Sequence, residues 1–526
     1  MRFLDDRERT RVRAVAHLAT GNPFLLERVD NERRVLGEAL QPGASVWHEG
    51  ADQETASPNV DRIDEEVQRL APELRRRLAG GARATPEELA DYQGFVFYLL
   101  YYRSLATFQQ LIARGQAGRS TTGRVKAYQR YRAEVAEYLE IPGVSLGFSV
   151  DPAHLFAWGY QIRRAFEGTF RGIHGGSMPA ARLRAAVWQS IFTHESLRYG
   201  RSLYRRMGDV TTLIQGESGT GKELVARAIG LARYIPFDPE GQAFREDFAS
   251  GFHPVNLSAL SPTLIESELF GHRRGAYTGA LEDRVGWLES CSSRGTVFLD
   301  EIGELDPQIQ VKLLRVLQAR SFQRVGETAE RRFTGKIIAA TNRDLPAEIA
   351  GGRFREDLYY RLCADMVRTP TLREQIADSP DELPGLISLI TRRIVGEEDA
   401  EALTGEVSAF VRDHLGEDYP WPGNVRELEQ CVRNVLIRGH YEPSVRAAVG
   451  PGEELAALLE RGSLSADDLL RHYCTLVYAR TGSYEEAGRR LGLDRRTVKA
   501  KVDPQQLERL ARAGREPRPL AERAGV

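Results

Sequence analysis

Cysteine and lysine are both scarce in this chain of 526 residues. The four cysteines, Cys291, Cys363, Cys431 and Cys474, are scattered, with no CxxC pair and no histidine at metal-ligand spacing. That distribution argues against a disulfide framework or a zinc site and leaves reduced, buried thiols of a cytosolic protein. Only Lys126, Lys222, Lys312, Lys336, Lys499 and Lys501 are lysines, the other basic residues being arginine. An excess of either charge is also missing. The net charge of -2 excludes a chain that coats nucleic acid generally, so any DNA contact must come from a local patch. No segment reaches the ~18 apolar residues of a membrane span. The longest candidate, Gly94–Tyr102, is flanked by polar residues and reads as a buried helix; the first residues lack the basic start and apolar core of a signal peptide. The expectation is a cytoplasmic protein. With 42% hydrophobic and 28% charged residues, the composition is that of an ordinary soluble chain long enough for several domains.

The N-terminal region, 1–175, reads as mainly helical. Ile63–Leu74 and Pro86–Gln116 place apolar residues at helical spacing, and 127–140 alternates charge along a solvent face. A phosphoacceptor receiver is not expected, because Asp5 and Asp6 follow no apolar strand and Lys126 is the region's only lysine. The aromatic group Tyr92, Phe95, Phe97, Tyr98, Tyr101 and Tyr102 could line a pocket, but helical spacing favours core packing.

From about Pro179 strands and helices alternate, the pattern of a parallel sheet wrapped by helices. An apolar strand at Val210–Gln215 runs into Gly216, Glu217, Ser218, Gly219, Thr220, Gly221, Lys222 and Glu223, and a helix follows at Leu224–Leu231. Strand, glycine loop, lysine and helix together point backbone N–H groups at phosphates while the lysine reaches the β and γ oxygens of a nucleotide. The hydroxyl usual after the lysine is replaced by Glu223, so Mg²⁺ would fall to Thr220, Asp300, phosphate oxygens and water. A second apolar strand ends in Asp300 and Glu301, placing one carboxylate to hold a metal and the next to activate water against the γ-phosphate. A third, Lys336–Asn342, ends in polar groups that could sense that phosphate, Asn342 among them.

Between these motifs, Gly271, Gly275 and Gly279 surround one exposed-looking aromatic, Tyr277. Helical patterns at Thr263–Phe270 and Asp283–Ser290 flank the glycines, so the segment reads as a loop jutting out to touch a partner. Gly216–Glu223, Glu268–His272, Gly275–Ala280, Phe298–Leu305, Ala340–Leu345, Phe354–Leu362 and Trp421–Leu428 resemble, in order, the motifs of the sigma-54-dependent enhancer-binding proteins, the NtrC-like branch of the AAA+ ATPases. The resemblance covers roughly 180–440 and includes Glu223.

This resemblance implies an α/β AAA+ core with a helical lid that hydrolyses ATP with Mg²⁺ to remodel sigma-54 RNA polymerase and promote open-complex formation. Asn256 matches the switch asparagine that restrains Glu301. Arg355 and Arg361 match fingers that enter a neighbouring subunit's site, which implies a ring, by likeness a hexamer; Arg426 matches the lid's nucleotide sensor. Gly275, Ala276, Tyr277, Thr278, Gly279 and Ala280 match the sigma-factor contact, with Tyr277 where the family usually has Phe and with Arg273 and Arg274 where an acidic residue is expected. The stretch between Ile229 and Asn256 is longer than the family's and reads as a surface insertion.

Near the C-terminus, a capped helix from Ser465 to Arg480 precedes a short helix, a turn at Leu491–Leu493 and a second helix capped by Asp494. This helix-turn-helix pattern also resembles the family's Fis-type ends. Its second helix offers Arg495, Arg496, Thr497, Lys499 and Lys501 to DNA, with Val498 and Val502 holding it to the body. The expected domains are 1–175, a helical regulatory region; 176–372, the α/β ATPase core; 373–445, the lid; 446–464, a linker; 465–505, the helix-turn-helix; and 506–526, a disordered tail. Two other readings stay open: a remodeller of proteins unrelated to transcription, whose last helices bind an adaptor, and a DNA-binding repressor with a decayed ATPase.

Overall fold

A computed structural model of the chain describes residues 2–41, 58–146, 151–416, 418–443, 465–503 and 507. It contains two compact units, Met1–His440 and Tyr441–Val526. The expected linker at 446–464 and the tail at 506–526, apart from Leu507, lie outside the described residues.

The first unit opens with α1 (Asp6–Thr20), α2 (Glu27–Leu36), α3 (Pro58–Ala79), α4 (Pro86–Gln116), α5 (Ala127–Leu139) and α6 (Pro152–Gly172). Local chemistry sets their starts. Asp5 and Thr85 cap α1 and α4 in reciprocal capping boxes with Glu8 and Glu88, and Pro86 occupies the first turn, where its missing N–H costs nothing. The aromatic run of α4 is core: Tyr92, Phe95, Phe97 and Tyr98 are buried, and Phe97 stacks on Trp158 of α6 with centroids 4.6 Å apart.

Next come α7 (Met178–Phe192) and α8 (Ser196–Arg201), then β1 (Thr212–Gln215), α9 (Lys222–Leu231), β2 (Phe237–Asp238), β3 (Ala243–Phe244), β4 (Phe252–Asn256) and β5 (Thr296–Asp300). The strands β6 (Ser321–Phe322), β7 (Arg331–Arg332), β8 (Lys336–Thr341) and β9 (Asp365–Arg368) complete the set, with α10 (Pro262–Phe270), α11 (Trp287–Ser290), α12 (Pro307–Ala319), α13 (Leu345–Ala350) and α14 (Glu356–Leu362) between them. Five strands form a parallel sheet in the order β4-β5-β8-β1-β9.

The two-residue period of a strand divides this sheet between two cores. Leu213, Val297, Leu299, Ile337 and Ala339 face α10, α12 and α14. Ile214, Phe298, Ile338, Ala340 and Val367 face α7 and α9, and through them the whole N-terminal bundle, in one apolar cluster that begins at Phe3. The core is therefore continuous across residue 175.

The stretch expected to be a surface insertion is part of that core. β2 and β3 form a hairpin whose Phe237 and Phe244 are buried, as is Phe248 just beyond; Phe237 lies 4.4 Å from Tyr128, and Phe244 4.3 Å from Tyr160, between centroids. Its extra length carries aromatic rings that the N-terminal helices cover. The helix expected over 283–290 is also shorter, only Trp287–Ser290, because Asp283 accepts the Arg274 N–H and Arg284 bridges His272 in extended form.

The lid follows as α15 (Leu372–Asp378), α16 (Glu382–Val395), α17 (Ala400–Phe410) and α18 (Asn424–Arg438). In the second unit, α19 (Ala466–Thr481), α20 (Tyr484–Leu491) and α21 (Arg495–Lys501) meet around Cys474, Ala487 and Val498, all fully buried. No helix among the described residues is long and apolar enough to cross a membrane.

Candidate active site

β1 delivers the chain to the phosphate loop, and the loop closes against two other elements. A Cβ on Gly216 would stand 1.9 Å from Thr369 Oγ1, and one on Gly219, whose φ is +79°, would stand 2.2 Å from Gly423 O. Glycine is thus required by close approach at both positions. Gly221 turns left-handed into α9, whose first N–H groups have no partner within the helix. Lys222 begins that helix. Its Nζ donates to the carbonyls of Gly216 and Glu217, at 3.0 and 3.2 Å, and lies 3.6 Å from Glu301 Oε1. Glu223 points to the surface and pairs with Arg227 at 3.4 Å. The Thr220 hydroxyl is engaged, donating to Glu217 O at 2.8 Å and meeting Thr369 Oγ1 at 2.7 Å.

At the end of β5, Asp300 keeps strand geometry and Glu301 adopts φ +57°, ψ +52°, the left-handed region. The Glu301 carboxylate accepts the Asn342 N–H at 3.2 Å. Burial, followed by the neighbouring Glu301 charge, pushes the Asp300 carboxyl above its ordinary pKa. Among the described residues Lys222 is the cation whose charge bears on both carboxylates, and a hard divalent cation beside Asp300 would relieve the repulsion with the oxygen ligands such ions prefer. Thus the donor set fits Mg²⁺, with Asp300 as the protein ligand. Asn256 is the ladder neighbour of Asp300, yet its Oδ1 accepts from Ser258 N and Oγ, at 3.0 and 2.8 Å, and it does not touch Glu301. Asn342 meets Glu301 through its backbone N–H rather than its side chain.

The lid closes the loop from above. Val425 N donates to Gly219 O at 3.1 Å, and Arg426 Nη1 to Ser218 Oγ at 3.1 Å. Between α18 and the loop sits Asn424, buried at φ +52°, which donates through Nδ2 to Glu217 Oε2 and Ser218 O and accepts from Leu372 N through Oδ1. Sequence reasoning missed Asn424 and Thr369. The turn Pro422-Gly423-Asn424 held the available signal, because asparagine tolerates the left-handed region. Between loop and lid lies a cleft of about 340 Å³, walled by Ile173, Leu183, Leu224, Leu386, Arg426 and Glu429, large enough for a small ligand.

Of the remaining candidates in the first unit, none is among the residues that line the cleft. Arg355 caps α14 with its guanidinium paired to Asp357, at 2.7 Å, and Arg361 is exposed; among the described residues neither bonds to the phosphate loop. Tyr277 is half-buried rather than exposed, because its ring stands edge-on to His272, with centroids 5.0 Å apart, and His272 hydrogen-bonds to Ser267 at 2.7 Å. The loop around it is a closed turn, with Gly275 N donating to Ala280 O at 2.8 Å and Arg273 tied to Asp283 and Glu327. Thr278 and Gly279 are exposed at its tip and Ala276 is half-buried. In α21, Arg495, Arg496 and Lys499 are exposed; Thr497 bonds to the capping Asp494, and Lys501 pairs with Asp467. Among the described residues no three His, Cys, Asp or Glu side chains cluster as a metal site.

Residues 195–368 match the family described as Sigma-54 interaction domain. The chain is 46% identical over 227 residues to the Nif-specific regulatory protein of Azotobacter vinelandii, covering 43% of this chain and 40% of that one. It is 38% identical over 306 residues to the transcriptional regulatory protein ZraR of Escherichia coli, covering 56% and 63%. The chain therefore spans about two fifths to three fifths of the length of these curated relatives. The crystal structure of NtrX from Brucella abortus in complex with ATP is 22% identical and covers 74% of this chain and 81% of that chain, at a TM-score of 0.38.

Proposed function

Residues 195–368 belong to the sigma-54 interaction domain family of AAA+ proteins, and from that premise we propose that the chain is an ATP-hydrolysing, DNA-binding activator that remodels sigma-54 RNA polymerase. One observation carries this reading: the phosphate loop whose Lys222 stands 3.6 Å from Glu301, beside Asp300, also lines through Gly219, Thr220 and Gly221 the cleft that the lid's Arg426 closes. In the proposed reaction Lys222 leaves its carbonyl partners for the β and γ phosphates, while Arg426 binds the same nucleotide from the lid. Glu301, held by the Asn342 N–H, takes the proton of the attacking water. Asp300 would hold Mg²⁺, which would supply charge neutralisation at the phosphates. Arg355 and Arg361, unoccupied by their own site, reach a neighbouring subunit's γ-phosphate in a ring, by likeness a hexamer. Asn256, beside Asp300 in the sheet, turns from Ser258 to Glu301 when the nucleotide state changes.

The stroke reaches the polymerase through Gly275–Ala280, and Arg495, Arg496, Thr497, Lys499 and Lys501 hold the ring at upstream DNA. Residues 1–175 set its activity, and the site of action is the cytoplasm. Glu301→Gln tests the chemistry: hydrolysis is expected to fall by about 10² to 10⁴ with nucleotide binding retained. If the intact protein hydrolyses ATP but never stimulates open-complex formation in a purified sigma-54 system, it is a remodeller of something else. Absence of hydrolysis in the intact protein would leave the DNA-binding repressor.

A further inference from the structure

The part of the chain that discloses no ligand is built into the back wall of the nucleotide cleft. α6 runs antiparallel along α9, the helix that begins at Lys222. Gln161 Nε2 donates to Ala232 O at 2.8 Å, and Arg164 donates through Nη1 to Leu231 O and through Nη2 to Arg233 O, each at 2.6 Å. Two side chains thus take three consecutive carbonyls at the C-terminal end of the phosphate-loop helix, where a helix cannot satisfy its own acceptors. The guanidinium also puts positive charge at the negative end of the helix dipole. Arg164 is only 5% exposed and lies over the rings of Tyr160 and Phe248, at 4.8 and 5.4 Å.

Further along, α6 comes close enough that a Cβ on Gly168 would touch Ala228 Cα at 3.8 Å. At its end, Gly172, Ile173 and His174 line the cleft beside Gly219, Thr220 and Gly221. The next two free N–H groups, of Gly176 and Ser177, donate to Glu382 of the lid at 2.9 and 2.8 Å. One helix of the N-terminal bundle therefore touches the far end of the phosphate-loop helix, forms a wall of the cleft, and leads directly into a segment gripped by the lid.

We propose that Arg164 is a positioning residue for the phosphate loop and that α6 is the route by which the N-terminal bundle sets the affinity of the cleft for nucleotide. The proposal rests on reading the cleft as an ATP site. α9 has only ten residues, a rod of about 15 Å that moves as one piece. Apolar packing along its sides is non-directional, so the directional bonds at its C-terminal end help fix how far Lys222 stands from the phosphates. A ligand or partner that tilts α6 within the bundle shifts Lys222 through those bonds. Linkage makes the coupling reciprocal: nucleotide must steady α6 as much as a correctly seated α6 favours nucleotide.

The test uses the full chain and a fluorescent ATP analogue. Arg164→Met is expected to weaken binding about tenfold, the loss of one charge-assisted capping interaction, with Arg164→Lys recovering part of it. The turnover rate at saturating ATP should change less than the KM. In the wild type, nucleotide should slow amide exchange across 160–174, and this slowing should vanish in Arg164→Met. Val67→Ala, in the same core but on α3, provides the control for general destabilisation. Binding by Arg164→Met as tight as the wild type, or weakened no more than by Val67→Ala once melting temperatures are matched, overturns the proposal alone. A wild-type chain that binds no nucleotide overturns the reading of the cleft and the proposal with it.

Discussion

An arginine that meets nothing catalytic in its own chain matters either as a solvated charge or through another molecule. Among the described residues the Arg355 guanidinium pairs with Asp357 alone, an exposed pair of the kind that solvent makes nearly worthless, so the side chain can reach elsewhere. If it reaches a neighbour's γ-phosphate, Arg355→Ala should bind ATP normally and hydrolyse it about 10³-fold or more slowly. Mixing it with Glu301→Gln should restore part of the activity, since some interfaces would then combine an intact glutamate with an intact arginine. A mixture no more active than its parts would refute trans action. The proposed catalytic residues were the legible ones: Lys222, Asp300 and Glu301 sit in short motifs at strand ends, where local sequence decides geometry. Asn424, Thr369 and Arg164 were not legible, because each acts on a backbone group or hydroxyl far away in the chain, and no local pattern encodes such a meeting.

Elements show the same division. The sheet was readable because the alternation of Ile337, Ile338, Ala339 and Ala340 between two cores is written in every strand. The hairpin of β2 and β3 was not, since its brief apolar positions acquire meaning only under the rings of α5 and α6. The helical reading of Asp283–Ser290 failed differently, at its start: the spacing is helical, but Asp283 satisfies the Arg274 N–H and so competes with helix. What results is a clasped loop whose aromatic ring rests on His272, and if this loop is the proposed contact it must unclasp before its tip can extend. Tyr277→Ala should leave ATP hydrolysis within about twofold of the wild type, because the ring touches none of the cleft. Open-complex stimulation should be lost. A Tyr277→Ala protein that still activates transcription would show that the loop is not the contact.

At the scale of the molecule, the apolar cluster from Phe3 to Val367 means that the N-terminal bundle covers one face of the ATPase sheet instead of hanging from it. A chain started at Pro179 would bare Trp188, Val225 and Ile229, and each large apolar side chain so uncovered forfeits about 1.5 to 3 kcal/mol of burial. We expect that chain to aggregate or to melt well below the full protein; equal melting temperatures would refute a shared core. Any control exercised by residues 1–175 must therefore work by small shifts within a packed body. One more property of the whole follows from the backbone at Glu301. Its left-handed conformation costs a residue bearing a Cβ roughly 1 to 2 kcal/mol, which glycine would recover. On the proposed reaction, the chain gives up that much thermal endurance to keep a carboxylate where the attacking water would stand.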